Sequence, residues 1–255
     1  MGRRAAFPLP LIPLRTARSR RQPARAVAFR PLKNPLAVAI FARAPEPGRV
    51  NTRLIPLLGK KGAADFQAAL ISDSIRKVQT LPRSISRYLF LTGEPRPPAS
   101  NPRGYSIERQ RGAGLGARLA STIRKLLQLH AQAVVIGTDS PLLPPAILRQ
   151  GLLELGTCDA VLGPCPDGGY YLIGLRQGET GIPRGLFRNI RWGSAFAFRD
   201  TLRNILRNNL SCSVLEPLVD VDRPEDFRQL ARELARSRAA RRLAPATWKF
   251  LKERC

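Results

Sequence analysis

The sequence predicts an α/β fold in which helices cover both faces of a mostly parallel sheet, arranged as a single domain over residues 35–235. Two observations lead to this prediction. Short apolar segments of strand length alternate with longer segments of helical periodicity, which is the pattern of successive β-α-β units. The unusual motifs of the chain also directly follow predicted strands, and such sheets bind ligands at the carboxyl ends of their strands.

The predicted elements succeed one another regularly from residue 36. The first strand is an apolar run at 36–41, and it ends in a loop rich in proline and glycine. A helix is predicted at 63–78 because Phe66, Leu70 and Ile75 recur on one side at helical spacing. A helix at 144–155 has proline near its first turn, as helix starts prefer. Further strands are predicted at 86–91, 133–136, 159–162, 170–175 and 213–218, and further helices at 115–129, 196–206 and 225–236.

The formal net charge of +25 lies mostly at the two ends of the chain. Residues 1–34 hold nine Lys and Arg and no acid, which predicts a basic extension outside the fold. Residues 228–255 hold nine Lys and Arg against two acids, and 236–255 is interpreted as a basic C-terminal helix or tail. One hypothesis is therefore an inactive basic protein that binds nucleic acid through its ends. A solvated helix face is the commoner explanation of such charge, so no specific nucleic-acid partner is predicted.

Composition excludes several other classes of protein. No segment approaches the roughly 18 consecutive apolar residues of a membrane-spanning helix. The four cysteines show neither metal-ligand spacing nor a disulfide framework, which favours reduced thiols and a cytoplasmic location. His130 is the one histidine, so a Ser-His-Asp triad or a multi-histidine zinc site is not expected.

The first motif, FARAPEPGRVNTRL, follows the first predicted strand. It gathers Arg43, Arg49 and Arg53 near one strand–loop–helix junction, and guanidinium groups match phosphate oxygens. Gly48 allows the backbone to approach a ligand closely. The motif lacks the Gly-Lys-Ser/Thr ending of a P-loop, and a solvated surface loop is the alternative.

Two acidic motifs follow other predicted strands. In VIGTDSPLL, Asp139 is placed where a buried strand ends, which suits a hard cation such as Mg²⁺. Alternatively, Asp139 satisfies only turn amides before a proline. In VDVDRPED, Asp220 and Asp222 alternate at a strand end, so one can face the same crevice as Asp139. Asp222 with Glu225 also matches a capping box for the last helix.

Two further motifs suit the remainder of a binding cleft. GPCPDGGYYLIGL places Asp167, Gly168 and Gly169 between two apolar strands, where they suit either a polar acceptor or a simple hairpin turn. QRGAGLGARL is a glycine-rich turn into a helix that can present amides to a base or phosphate, although the pattern alone is weak. Trp192 precedes another predicted helix and suits packing as well as ligand contact.

Taken together and in this order, these motifs resemble a bacterial family of glycosyltransferases in the nucleotide-diphosphosugar transferase superfamily. Members were long known only as a domain of unknown function, and some are named for arsenosugar biosynthesis or association with radical-SAM genes. The segments that carry the resemblance span roughly residues 36–230 and are FARAPxPGRVxTRL, QxGxGLGxRL, GTDSPLL, GPxxDGGYYLIGL, WGS and DVDxPED. This chain departs from the family at Asn51, where the family usually has lysine, and the phosphate site thereby lacks one point charge.

The resemblance implies a GT-A-like, Rossmann-like fold, a nucleotide sugar and a small-molecule acceptor as partners, and a divalent cation, Mg²⁺ or Mn²⁺, as cofactor. It implies glycosyl transfer, with nucleotidyl transfer to a phosphorylated small molecule as the alternative; the oligomeric state stays open. An inverting reaction would need Asp167 as catalytic base. The residues expected at the nucleotide are Arg43, Gly48, Arg49, Arg53, Gly116 and Arg118; at the metal, Asp139, Asp220 and Asp222; and on the acceptor side, Gly168, Gly169 and Trp192.

Overall fold

The computed structural model of the chain describes residues 34–93, 102–178 and 181–254. The predicted extension at 1–34 lies outside these residues, apart from Asn34. The strands are β1 Leu36–Arg43, β2 Ser86–Thr92, β3 Tyr105–Arg109, β4 Gln132–Ile136, β5 Ala160–Pro164, β6 Tyr170–Arg176 and β7 Cys212–Val214. The α-helices are α1 Ile55–Gln79, α2 Gly114–Leu129, α3 Pro145–Glu154, α4 Ala197–Arg207, α5 Pro224–Arg236, α6 Arg238–Leu243 and α7 Pro245–Lys252.

The seven strands form one sheet in the order β3-β2-β1-β4-β6-β5-β7. Strand β6 runs antiparallel to its neighbours β4 and β5, and the other neighbouring pairs are parallel. The predicted α/β fold with a mostly parallel sheet is therefore confirmed. Because β1 to β5 all point the same way, their carboxyl ends meet at one edge of the sheet, and β6 begins at that edge.

Both faces of the sheet are buried under helices. Successive side chains of a strand point to opposite faces. Accordingly, Val38 and Ile40 pack among α1 and α3 residues on one face, whereas Ala37 and Ala39 pack among α2 and α4 residues on the other. A fully buried side chain such as that of Ile40 contributes roughly 1.5–3 kcal/mol of hydrophobic stabilisation. This two-sided burial explains why the central strands read as continuous apolar runs.

The C-terminal helices form an additional layer on α1. The Phe66 ring lies 5.2 Å from the Phe227 ring and 5.6 Å from the Phe250 ring, so α1, α5 and α7 meet in one aromatic cluster. Asp73 of α1 accepts hydrogen bonds from the first turn of α7. Residues of the predicted basic tail thus include buried side chains such as that of Leu251. In the described residues no helix is long and apolar enough to cross a membrane.

Three local features differ from the sequence predictions. Helix α1 begins at Ile55 rather than residue 63, and it passes a kink at Gly59, whose φ is +71°. Strand β3 has no predicted counterpart because its five residues are only partly buried and lack a clear apolar pattern. The final strand ends at Val214, and the chain continues without regular structure to α5.

The capping box expected from Asp222 and Glu225 is wrong in its residues. Helix α5 begins at Pro224, with Arg223 as its N-cap. The Asp226 carboxylate accepts the backbone N–H groups of Asp222 and Arg223, at 3.3 and 2.9 Å. An acid in the first turn therefore satisfies two amides at the start of the helix, and the Asp222 side chain pairs with Arg53 instead of capping it.

Candidate active site

A cleft of about 510 Å³ opens at the edge of the sheet where the strands β1 to β5 end. Of the predicted site residues, nine line it: Arg43, Arg53, Arg118, Asp139, Asp167, Gly169, Trp192, Asp220 and Asp222. The other four, Gly48, Arg49, Gly116 and Gly168, are not among its lining residues. The structure thus brings together side chains that are separated by up to about 180 positions in the sequence.

The arginines of the cleft come from two segments. Arg43 ends β1 and Arg53 lies in the short 3-10 helix Thr52–Leu54, whereas Arg118 belongs to the first turns of α2. Arg53 Nη1 donates to Asp222 Oδ2 at 2.7 Å, so this pair joins the basic and acidic parts of the cleft. Arg49 instead turns away to Glu46, with 3.3 Å between Nη1 and Oε2.

Asp139 lies just beyond the end of β4, where its backbone carbonyl accepts the N–H of Val221 at 2.8 Å. This contact holds the segment carrying Asp220 and Asp222 against the end of β4. The Asp139 side chain is still reached by solvent through the cleft. Even so, desolvation by the cleft walls and the negative charge of Asp222 raise its pKa to about 6, against an opposing hydrogen bond from Thr138.

Asp220 reaches the cleft because the chain between β7 and α5 follows the end of β5. The N–H groups of Leu215 and Leu218 donate to the carbonyls of Leu162 and Pro164, at 2.8 and 3.1 Å. Residues 219–222 form no strand, and both Asp220 and Asp222 line the cleft, whereas their alternation in the sequence predicts that one of them faces it. Desolvation and the nearby Asp167 carboxylate raise the pKa of Asp220.

Asp167 lies on the loop between β5 and β6, close to Asp220. One carboxylate oxygen from each of these residues and the Sγ of Cys165 lie within 4.8 Å of one another. The Asp167 Oδ1 atom also accepts the N–H of Gly169 at 2.7 Å, which orients the carboxylate. Cys165 is buried, and its burial together with the adjacent acids raises the pKa of the thiol well above its usual range, so it stays protonated.

Close packing accounts for two of the predicted glycines. Gly168 has a φ of +90°, and a Cβ atom there would collide with the backbone of Ala195. A Cβ atom on Gly116 would collide with the indole of Trp192. Trp192 also packs edge-on against the Tyr170 ring, with 6.2 Å between centroids. These glycines therefore shape the cleft by letting its walls approach each other.

An ion pair holds the Trp192 segment in place. Arg191 donates from Nε and Nη2 to the two carboxylate oxygens of Asp200, each at 2.8 Å. These charge-assisted bonds hold the pKa of Asp200 well below its usual range. The segment before α4 is consequently tied to that helix at the side of the cleft where Trp192 lies.

Sequence reasoning missed several polar residues of the site. Gln67 and Thr138 are buried beneath Asp139 and bond to each other, and Asn51 bonds to Gln67. Gln110 joins strand ends by donating to the carbonyls of Ala42 and Phe90. Gln67 lies among the buried residues of α1, and the local sequence gives no sign that its side chain bonds to Thr138. Only its contacts in the folded chain reveal it.

Comparisons with known proteins agree with this architecture. Residues 75–194 match a family described as "Uncharacterized protein conserved in bacteria (DUF2064)". The structure is similar to that of a Desulfovibrio desulfuricans G20 protein named as a candidate nucleotide-diphospho-sugar transferase. The TM-score is 0.76 at 29% identity, over 86% of this chain and 95% of the other. No curated protein matches the chain.

Two more distant structures share the fold. A CMP:2-keto-3-deoxy-manno-octonic acid synthetase complexed with CTP gives a TM-score of 0.51 at 12% identity, over 79% of this chain and 99% of the other. The inositol-1-phosphate CTP transferase of T. maritima gives a TM-score of 0.51 at 10% identity, over 84% and 96%. The chain therefore has the fold of nucleotide-diphospho-sugar transferases and cytidylyltransferases. The association with arsenosugar biosynthesis or radical-SAM genes stays a prediction.

Proposed function

We propose that this protein is a metal-dependent glycosyltransferase that moves a sugar from a nucleotide diphosphosugar to a small-molecule acceptor. The observation that carries the proposal is the arrangement of charges in the cleft. Arginines from the end of β1, the 3-10 helix Thr52–Leu54 and the start of α2 border one part, and four carboxylates from three other segments border another. The 29% identity to the D. desulfuricans protein over most of both chains supports the same substrate class.

The carboxylates fit a divalent cation. Asp139, Asp220 and Asp222 offer the oxygen ligands that Mg²⁺ and Mn²⁺ prefer. Desolvation, followed by repulsion among the carboxylates of the cleft, raises the pKa of Asp139 and of Asp220, and bound positive charge would relieve this repulsion. A cation held there supplies Lewis-acid stabilisation of the diphosphate leaving group. The neutral thiol of Cys165 lies beside Asp220, and Asp222 also forms an ion pair with Arg53.

The arginines would hold the diphosphate. Arg43, Arg53 and Arg118 all line the cleft, where guanidinium groups can donate to phosphate oxygens as negative charge grows on the leaving group. Gly48 and Arg49, which the resemblance also assigned to the nucleotide, would contribute by shaping the loop that presents Arg43. In keeping with this role, Arg43 Nη1 lies 3.4 Å from the Arg49 carbonyl oxygen.

The acceptor would enter beside Asp167. This carboxylate is exposed at the cleft and held by the Gly169 N–H, so it can take a proton from an acceptor hydroxyl in an inverting reaction. Trp192 would form the apolar wall of this side, with Gly168 allowing the close approach of the loop to Ala195. Aromatic faces of this kind suit the apolar surface of a sugar or a similar acceptor.

The test is a thermal-shift panel of nucleotide sugars that vary in base and sugar, with and without Mn²⁺, followed by identification of the released product. A ligand at 100 times its Kd stabilises the folded state by about 2.7 kcal/mol. For a protein of this size that corresponds to a rise in Tm of roughly 5–10 °C. Release of a nucleoside diphosphate supports glycosyl transfer, whereas consumption of a nucleoside triphosphate with release of pyrophosphate would establish nucleotidyl transfer instead. No shift with any nucleotide would contradict the proposal.

A further inference from the structure

A line of hydrogen bonds leads from Asp139 through two buried side chains to the loop after β1. The Thr138 hydroxyl donates to Asp139 Oδ1 at 3.1 Å. Gln67 Nε2 donates to that hydroxyl oxygen at 3.3 Å. Asn51 Nδ2 donates to Gln67 Oε1 at 3.1 Å and to the carbonyl of Ala63 at 3.3 Å. The line thus joins the loop after β1, the helix α1 and the end of β4.

The chemistry of its first contact fixes the direction of every bond in the line. A backbone carbonyl only accepts, so the amide nitrogen of Asn51 must face Ala63 and Gln67. The atom of Gln67 that faces Asn51 is then its oxygen, which leaves its NH₂ group toward Thr138. Since the Thr138 oxygen accepts from Gln67, its single hydrogen is free to point at Asp139. All three side chains therefore donate in the direction of the carboxylate.

Gln67 and Thr138 are buried, so water cannot easily take over their hydrogen bonds. Gln67 is 3% exposed and Thr138 is 4% exposed, so water does not compete for their donors and acceptors. Bonds in such a line polarise one another and are stronger in a water-poor interior. Without Gln67, the Thr138 hydroxyl would lose the donor that orients its hydrogen toward Asp139.

We propose that Gln67 is a positioning residue for Asp139, acting through Thr138, and that Asn51 anchors Gln67. Asn51 is suited to this task because its backbone is left-handed, with φ of 45°, a conformation that asparagine adopts more readily than most residues. The inference rests on the proposed function, in which Asp139 holds the cation. Its consequence is that residues outside the cation's own ligand set determine how firmly Asp139 holds it.

The test is a double-mutant cycle with Mn²⁺ alone as the probe. Calorimetric titration with MnCl₂ is compared for the unaltered protein, Thr138→Val, Gln67→Met and the double variant. Each single substitution should weaken Mn²⁺ binding about tenfold. Because Gln67 acts through Thr138, the double variant should bind no more weakly than Thr138→Val. Losses that multiply in the double variant, or a Gln67→Met protein that binds like the unaltered one, would overturn the inference.

A matched control and a milder variant separate positioning from loss of folding. Ser74 is equally buried on α1 and, among the residues that the structure describes, its hydroxyl bonds only within its own helix, so Ser74→Ala should leave Mn²⁺ affinity unchanged. Asn51→Gly keeps the left-handed backbone and removes the anchoring amide, so it should weaken binding by about threefold, and not at all beside Thr138→Val. An equal loss in the Thr138→Val background would count against the line. Absence of Mn²⁺ binding to the unaltered protein would contradict the proposed function itself.

Discussion

Asp73 and Asp139 are two carboxylates in opposite surroundings. Asp73 is 1% exposed and accepts three hydrogen bonds: from the N–H of Ala246 at 2.8 Å, the N–H of Thr247 at 2.9 Å and the Thr247 hydroxyl at 2.7 Å. In the described residues, Asp139 accepts one side-chain hydrogen bond, from Thr138, and faces the negative charges of Asp222 and Asp167. Hydrogen-bond donors of the protein therefore compensate the negative charge of Asp73, whereas the charge of Asp139 has only one such donor among the described side chains.

This difference separates a carboxylate that stabilises the fold from one that is prepared for a ligand. The donors at Asp73 are the first amides of α7, whose helix dipole also favours negative charge. The charge at Asp139 is compensated only in part. Desolvation and the neighbouring acids therefore raise its pKa above the ordinary value. Stability is therefore expected to depend on Asp73, and cation binding on Asp139. The same conservative substitution at each position tests the contrast.

The largest effect is expected from Asp139→Asn. Loss of a metal ligand removes several kcal/mol of interaction, so Mn²⁺ affinity should fall about a hundredfold. The Tm of the metal-free variant should equal or exceed that of the unaltered protein, because the substitution removes a repelled charge while an amide oxygen can still accept from Thr138. Calorimetric titration and thermal unfolding measure the two quantities. A lower metal-free Tm with unchanged Mn²⁺ affinity would reverse the assignment.

Asp73→Asn should have the opposite profile. An amide NH₂ group in this place would meet donors, and a buried helix start would lose charge-assisted bonds, at a cost of about 2–3 kcal/mol. The Tm should fall by roughly 5–10 °C, while the folded protein binds Mn²⁺ within about twofold of the unaltered chain. The matched control is Asp65→Asn on the same helix, whose ion pairs with Lys61 and Arg254 are exposed and contribute about 0–1 kcal/mol. Equal Tm values for the two variants would contradict the interpretation.

The contrast also shows which parts of the molecule the sequence reveals. The apolar runs of the central strands and the periodicity of α1 are consequences of two-sided burial, so they predict the sheet and most helices. Residues 105–109 escape prediction because an edge strand is half-exposed and its pattern is weak. The cap at Asp73 escapes as well, because 173 positions separate it from Ala246 and no local pattern records such a contact.

Where motifs directly follow strands, the sequence predicts which residues line the cleft. Asp139 and Arg43 could be placed because topology alone brings the carboxyl ends of parallel strands together. The placement of Gly116 near a nucleotide stays a prediction, and the Trp192 indole packed against it could not be predicted because such a long-range contact leaves no trace in the local sequence. Gln67 resembles its apolar neighbours in spacing, so its bond to Thr138 is visible only in the folded chain.

Lys77 connects the surroundings of Asp73 with those of Asp139, because it lies on the same helix as Asp73 and contacts the loop after Asp139. It follows Asp73 by about one helical turn, it is 3% exposed, and its Nζ donates to the carbonyl of Pro141 at 2.5 Å, just beyond Asp139. Desolvation lowers its pKa to about 8, although the negative charge of Asp73 opposes this shift. The negative charge of Asp73 therefore offsets only part of the desolvation of the Lys77 ammonium group, which is buried beside the loop that carries Asp139.

The smallest expected effect is a pH dependence of stability due to Lys77. The pKa of this lysine is about 8 in the folded protein and near 10.5 when unfolded, so the unfolded state binds more protons between these values. Burial of the charged lysine therefore lowers the free energy of unfolding by its full amount below pH 8. This destabilisation disappears as the pH rises from 8 toward 10.5. Between pH 7 and pH 9.5, the unaltered protein should gain about 2 kcal/mol relative to Lys77→Met, as measured by urea unfolding at both pH values. Cysteines and tyrosines also titrate in alkali, but they are common to both proteins and cancel in the difference. A difference that is independent of pH would mean that Lys77 is solvated or paired more strongly than its surroundings indicate.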